Sequence, residues 1–468
     1  MENSQVVELQ NSASLINQFS IILRTANIHS TNNVAFKSAA QRFIEIINEM
    51  IASENTITLQ LRGDYFYIND TRVRYAPEYV LNFDFLAGTF RNLEVGTIIV
   101  QNELTLEYVD LLIHSIIEAD FLQESFDFLS EKMSHVSIMK LKRLEEISNE
   151  EDLNIRRMVR KTYFNSIFYV KGVFNKIKSG ERVDVRKAKR VVTSVVNTMI
   201  EHEQILLGMT AIKDYDEYTY YHCTNVSILS VALGQRLGFN RQMLIDLGIA
   251  SLFHDLGKID VPNEVLNKPT KLEDSDWRII KKHPVWGVKS LLKLRDIDDL
   301  TIRAALVAFE HHINMDHSGY PQVKDYYDLD LFSRIVSIAD RYDAMTSARV
   351  YSNVPLKSDK ALSILMEMGK DPLLLDPLLF KFFINMIGVY PIGSLVKLST
   401  NELGLVFEND TESLFRPRVM VISDSSGNWI EGHVVDLREK NEKNDYIRTI
   451  TMTMDPKKYN INLAEYLL

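Results

Sequence analysis

The chain has 468 residues, 46% of them hydrophobic and 25% charged, enough for about three domains each with its own core. Its formal net charge of −10 argues against a long nucleic-acid-binding surface, because such binding is largely phosphate neutralisation. A small anionic ligand needs only a local cluster of cations and stays open.

A single cysteine, Cys223, excludes an intrachain disulfide framework and a cysteine-rich zinc site, and fits a reducing compartment. The N-terminus lacks the basic and apolar regions of a signal peptide. The apolar segment from Leu373 to Tyr390 is broken by Asp376, Pro377, Lys381 and Asn385, so it reads as a core helix, not a membrane span. The expectation is a cytoplasmic protein.

Residues 1–147 read as an α/β domain without a catalytic signature. Leu15–Ala26 and Phe36–Ile51 have helical periodicity, and Ser30, Thr31 and Asn32 precede the second as capping residues. Alternation at 56–61, 65–68 and 73–75, punctuated by Gly63-Asp64 and Asn69-Asp70, predicts a strand meander. A helix from about Glu78 to Asn92, a strand at 97–100 and a helix from Leu104 to Glu118 would cover one face. Sensing or interaction, including a homodimer, are fold-level expectations for this domain. His29, His114 and His135 are isolated and read as structural. From about Met139 to Leu207 the pattern is helical and heavily charged, and 148–205 is taken as a helical connector whose mixed charge runs form a solvated face.

Six of the eleven histidines then fall between 222 and 317. The densest stretch is Ser251-Leu252-Phe253-His254-Asp255-Leu256-Gly257-Lys258. Neighbours on a helix point about 100° apart, so His254 and Asp255 cannot form one clamp, but they can serve two adjacent metal ions. A carboxylate can bridge two cations, whereas a neutral imidazole gives one nitrogen to one of them. Gly257 fits a left-handed helix stop, leaving Lys258 at the rim to meet an anion. The dipeptide alone reads more readily as a capped helix end with solvated side chains, and only the downstream sequence overturns that.

His222 opens an apolar helix that runs to about Leu237. His283 closes a helix starting near Ser275, and Pro284 turns the chain after it. His311-His312 follows the helix from Ile302 to Phe309 and repeats the adjacent-ligand pattern. Asp340 follows the buried run Ile335–Ala339, where an unpaired carboxylate is costly unless it meets a cation.

His254-Asp255 with Lys258, Lys282-His283-Pro284, His311-His312, Ser318-Gly319-Tyr320-Pro321 and the run from Ala339 to Thr346 together resemble the HD-GYP family, bacterial phosphodiesterases of cyclic dinucleotides. The resemblance covers about residues 206–387. It implies an all-α HD-type domain whose His/Asp site holds two or three metal ions, usually iron or manganese, and hydrolyses cyclic di-GMP. The implied ligands are His222, His254, Asp255, His283, His311, His312 and Asp340, with Asp255 bridging two divalent ions. The Gly319-Tyr320-Pro321 loop would shape the guanine end of the substrate pocket, and Lys258 and Arg349 match phosphate-contacting positions. Asp255 and Lys258 are the expected catalytic pair.

The chain departs from the family pattern at Ile313, where a glutamate usually follows the histidine pair. The loop after Pro321 lacks the usual glycines, and Ser352 replaces a common basic residue. Tyr218 stands where members with three metals carry a glutamate, so two ions are expected. The same features admit a rival reading, a catalytically weak module that binds a cyclic dinucleotide as a regulator. A one-metal nucleotide phosphohydrolase leaves too many ligands unused. From about Tyr390 the period returns to two, predicting a small β domain over 388–468, with strands at 395–398, 404–407, 418–422 and 446–451 and a structural His433.

Overall fold

The architecture comes from a computed structural model, which describes residues 2–461 apart from 29–32, 64, 74–78, 121, 123, 145–149, 182–184, 213–216, 267, 269, 294–297, 348–357, 411, 455 and 460. The chain divides into two units, Met1–Arg157 and Met158–Leu468. Among the described residues no helix is long and apolar enough to cross a membrane.

In the first unit an antiparallel sheet of β1 (Ile57–Arg62), β2 (Tyr65–Ile68), β3 (Thr71–Arg72), β4 (Val95–Val100) and β5 (Met139–Arg143) runs in the order β3-β2-β1-β4-β5. Alternation along β1 sends Ile57, Leu59 and Leu61 into one core with Phe19, Phe43 and Phe90 from the helices Glu2–Ile28, Val34–Glu54 and Val80–Asn92. The second helix is capped by Asn33, whose side chain accepts from the Ala35 N–H, while the expected caps 30–32 fall outside the described residues. Met139–Arg143, read above as the start of a helical stretch, pairs instead with β4 as an edge strand. Its five residues, of which only Met139 is buried, give too short an alternation to stand out.

The second unit is built around the helix Tyr218–Arg236, whose residues from Tyr221 to Gly234 are all buried. A helix buried on every side carries no amphipathic stripe and must be packed all round. The helices Val185–Met209, Arg241–Leu252, Leu331–Thr346 and Pro377–Ile387 surround it. The segment expected to be a connector contributes to this packing: Val159, Tyr163, Phe164 and Ile167, on the helix Glu150–Lys178, are buried in the second unit beyond the boundary at Arg157. Charge on its outer face masked the apolar stripe on its inner one.

The unit also holds an antiparallel sheet of β6 (Leu395–Leu398), β7 (Leu403–Glu408), β8 (Arg418–Ser423), β9 (Trp429–Asp436) and β10 (Ile450–Met454), in the order β10-β6-β7-β8-β9. The last strand starts at Ile450, not 446, and β9, which carries the exposed His433, was not foreseen.

Candidate metal centre

The chain reaches the site from several helix ends. Asn240 caps the helix Arg241–Leu252 by accepting from the Met243 N–H, and the helix stops at Phe253, so His254 and Asp255 lie in a turn before the 3-10 helix Leu256–Asp260. Gly257 is not a left-handed stop. It sits within that 3-10 helix, and an added Cβ would lie 2.0 Å from the His283 carbonyl oxygen and 2.4 Å from the Gly287 nitrogen. Glycine is required because two backbones meet there. His283 likewise opens a helix, His283–Leu292, with Pro284 in its first turn, where a missing N–H costs nothing.

The seven expected ligands converge into two groups that share one residue. His222, His254, Asp255 and Asp340 form one, and Asp255, His283, His311 and His312 form the other, with the candidate ligand atoms of each within 4.8 Å of one another. Asp255 Oδ2 lies 3.3 Å from Nε2 of both His222 and His254, and Oδ1 lies 3.2 Å from His283 Nε2 and 3.8 Å from His311 Nε2. Asp340 Oδ1 is 3.0 Å from His222 Nε2, and its Oδ2 is 3.5 Å from His312 Nδ1.

Helix geometry fixes which ring nitrogen faces inward. The last carbonyls of a helix lack intrahelical donors. His254 Nδ1 is 2.7 Å from the Ser251 carbonyl, His283 Nδ1 is 2.8 Å from that of Ile280, and His311 Nδ1 is 3.0 Å from that of Ala308. A carbonyl can only accept, so each Nδ1 carries the proton and each Nε2 turns a lone pair to the centre. His222 lies in the first turns of its helix and has no such carbonyl. Its Nδ1 donates to Asp343 Oδ2 at 2.8 Å instead.

This arrangement fits cations. His222 Nε2, His254 Nε2 and Asp255 Oδ1 are buried without a hydrogen bond. His283 Nε2 and His311 Nε2 face each other at 3.2 Å with both Nδ1 protons committed to carbonyls, an approach that needs a proton or a cation between the lone pairs. Burial raises the pKa of Asp255, but Lys258 and His254 outweigh it and hold the carboxyl well below the usual range; burial is likewise outweighed for Asp340 by His222 and His254. Both stay ionised, so the buried charge requires positive partners.

The two groups differ electrostatically. Burial opposes charge on His222, yet Asp255, Asp340 and Asp343 push its pKa up to about 10. Burial together with His254 and His283 takes His311 down to about 3, and burial with His311 takes His312 well below its ordinary value.

Lys258 was expected at the rim. Its side chain is only 10% exposed and its Nζ pairs with Asp255 Oδ2. The Gly319-Tyr320-Pro321 loop does meet the centre, with the Tyr320 ring 4.5 Å from that of His312. Gly319 takes φ +96°, and a Cβ there would sit 2.2 Å from the His312 carbonyl oxygen. Ile313 is buried and bridges to Gly319. Arg349 and Ser352 lie outside the described residues. Sequence reading assigned no role to Asp343, although it lies three residues after Asp340 on the same helix, the spacing that places two side chains on one face.

Residues 194–379 match a family model described as HD domain, so this helical region is an HD domain carrying a His/Asp centre. The chain is 34% identical over 269 residues to "Cyclic di-GMP phosphodiesterase PA4108" of Pseudomonas aeruginosa, covering 57% of this chain and 63% of that protein. It is 33% identical over 150 residues to "3'3'-cGAMP-specific phosphodiesterase 3" of Vibrio cholerae, covering 32% of each, and 32% identical over 182 residues to "Cyclic di-GMP phosphodiesterase response regulator RpfG" of Xanthomonas campestris, covering 38% and 47%. The chain spans less than two thirds of the length of each of these relatives. Its HD domain is thus similar in sequence to those of phosphodiesterases named for cyclic di-GMP and 3'3'-cGAMP.

Proposed function

We propose that this chain is a metal-dependent phosphodiesterase that hydrolyses a cyclic dinucleotide, with cyclic di-GMP as the first substrate to test and a linear dinucleotide or mononucleotides as products. The observation that carries the reading is Asp255, whose two oxygens face different sets of donors. His222, His254, Asp255 and Asp340 would hold one divalent ion, and Asp255, His283, His311 and His312 a second, iron or manganese being suited to mixed imidazole and carboxylate ligands. Cations bound there supply Lewis-acid polarisation of phosphoryl oxygens and activate water as a nucleophile near neutral pH. Lys258, with Arg349, offsets charge developing on the phosphate. Tyr320, against His312, stacks at the edge of the substrate and holds its base end.

The reading also divides the chain by task. Residues 1–147 sense or interact, 206–387 catalyse with the helices of 148–205 supporting them from within the same unit, and 388–468 form a β domain, in a cytoplasmic protein.

Anaerobically purified, metal-loaded protein is incubated with cyclic di-GMP and with cyclic GMP-AMP, and the products are separated. Linear dinucleotide or mononucleotide from either supports the reading, and the ratio gives the base preference. Tight binding of both without turnover would replace it with the regulatory reading, which the glycine-poor loop after Pro321 favours. In that loop Gln322 Nε2 closes onto the Gly319 carbonyl at 2.7 Å, and Tyr326 packs on His317.

A further inference from the structure

The HD-domain match begins at residue 194, yet a string of buried hydrogen bonds leads from the metal centre to a helix before it. His222 Nδ1 donates to Asp343 Oδ2 at 2.8 Å, and Asn225 Nδ2 donates to Asp343 Oδ1 at 3.0 Å. The Tyr163 hydroxyl donates to Asn225 Oδ1 at 2.9 Å. Tyr163, His222, Asn225 and Asp343 are each 0–1% exposed, so no water competes for these bonds.

The direction of every bond is forced. As a carboxylate Asp343 offers only acceptors, so His222 Nδ1 donates to it and Nε2 is left facing the centre. The Asn225 amide nitrogen faces two acceptors, Asp343 Oδ1 and the Thr210 carbonyl at 3.3 Å, so its oxygen must face a donor. The Tyr163 hydroxyl is that donor, 2.9 Å from Asn225 Oδ1 against 3.3 Å from the Ile212 carbonyl. Without it Asn225 Oδ1 is left buried and unpaired, and an amide flip that relieves this would turn an oxygen towards the Asp343 carboxylate. Either response disturbs the group that orients His222.

We propose that Tyr163, on the helix Glu150–Lys178, is a positioning residue for the metal centre, setting the orientation of His222 through Asn225 and Asp343. The segment ahead of the HD match is thereby part of the site. The inference rests on the reading of His222 as a metal ligand.

The test is a double-mutant cycle on the full chain, read by Mn2+ titration and by thermal unfolding of the metal-free protein. Tyr163→Phe keeps the ring that packs on Phe164 at 5.3 Å and on Tyr221 at 6.4 Å. Losing the direct partner of a metal-bound histidine costs about 10–100-fold in metal affinity, so a group two bonds further out should cost about 3–10-fold at the tighter Mn2+ site. In the Asp343→Ala background, where the string is cut, Tyr163→Phe should have no further effect. Phe164→Leu, a packing change beside the string, should alter the melting temperature without singling out one Mn2+ site. Unchanged Mn2+ affinity in folded Tyr163→Phe, or an equal loss in both backgrounds, overturns the proposal. If Tyr163→Phe does not fold, Asn225→Ala is judged by the same two criteria. A parent protein that binds no Mn2+ overturns both this proposal and the metal reading, whereas a parent that binds Mn2+ without hydrolysing a dinucleotide leaves this one standing.

Discussion

The two donor groups of the centre share Asp255 but are built on different chemistry. One sets two carboxylates against His222 and His254, with a third carboxylate, Asp343, behind His222. The other adds only imidazoles, His283, His311 and His312, to the shared oxygen. Without metal, the three carboxylates outweigh burial and raise His222 to about 10, whereas burial with His254 and His283 lowers His311 to about 3. Two cation sites a few ångströms apart therefore need not be equivalent: the carboxylate-rich group offers charge, and the imidazole-rich group offers neutral nitrogen.

The largest effect should come from removing what the groups share. Asp255→Asn replaces two anionic oxygens by one neutral oxygen and a donor, so both groups lose charge together. Bound metal should fall below about one ion per protein, and hydrolysis to background. Metal analysis beside a product assay decides it, and near-normal metal and activity would remove Asp255 from the centre.

Single-group variants should separate the two. Asp340→Asn is expected to weaken the tighter Mn2+ site by at least about 100-fold, more than a partner of a ligand would cost, while His311→Gln should weaken the other site and spare the first. A two-phase Mn2+ titration reads both. If either variant moves both phases equally, the groups are a single unit and the comparison fails.

A smaller effect probes how the groups are held together. Gly257 lies where the turn carrying His254 and Asp255 crosses the start of the His283 helix, and the obstructing atoms, the His283 carbonyl oxygen and the Gly287 nitrogen, are backbone. Gly257→Ala should cost about 1–3 kcal/mol of stability by overpacking. It should also loosen the second Mn2+ site, because His283 must move. A melting temperature equal to the parent's would mean that the two backbones part freely.

What was legible in the chain follows from where its signals lie. The candidate ligands could be picked out because most sit beside a helix end, where His254-Asp255 and His311-His312 break an apolar run, because Asp340 puts a carboxylate in a buried helical run, and because the motifs keep their order. The reason Gly257 is glycine could not be read, because a left-handed stop and a close backbone crossing both ask for glycine and only the position of the His283 helix distinguishes them. Pro284 was ambiguous in the same way, since proline ends one helix as readily as it begins the next. Asp343 and Asn225 look like ordinary helix residues until three helices are assembled, and Tyr163 is hidden among charged neighbours. The short strand Met139–Arg143 and the mostly exposed strand Trp429–Asp436 carry too little alternation to be found without their partners.

The smallest expected change in turnover comes from Tyr218, because substituting it leaves both donor groups intact. Its ring stacks on His222 at 5.3 Å and 13°, at the position where the family resemblance puts the glutamate of members with three metals. A phenol is neutral near pH 7 and substitutes poorly for a carboxylate. Glu217 is next in sequence but is paired with Lys171, and Asp216 lies outside the described residues. The parent should therefore hold about two ions, set by seven ligands around a shared carboxylate with open positions left for water and substrate. Tyr218→Glu removes the stacked ring and places a carboxylate beside His222, so its metal content should rise towards about three under the same anaerobic loading, with the carboxylate-rich group gaining the additional ion. Metal per protein, measured on both proteins in parallel, decides the matter. A parent already close to three would mean that another acidic side chain reaches His222 and that the stacked tyrosine does not limit the site.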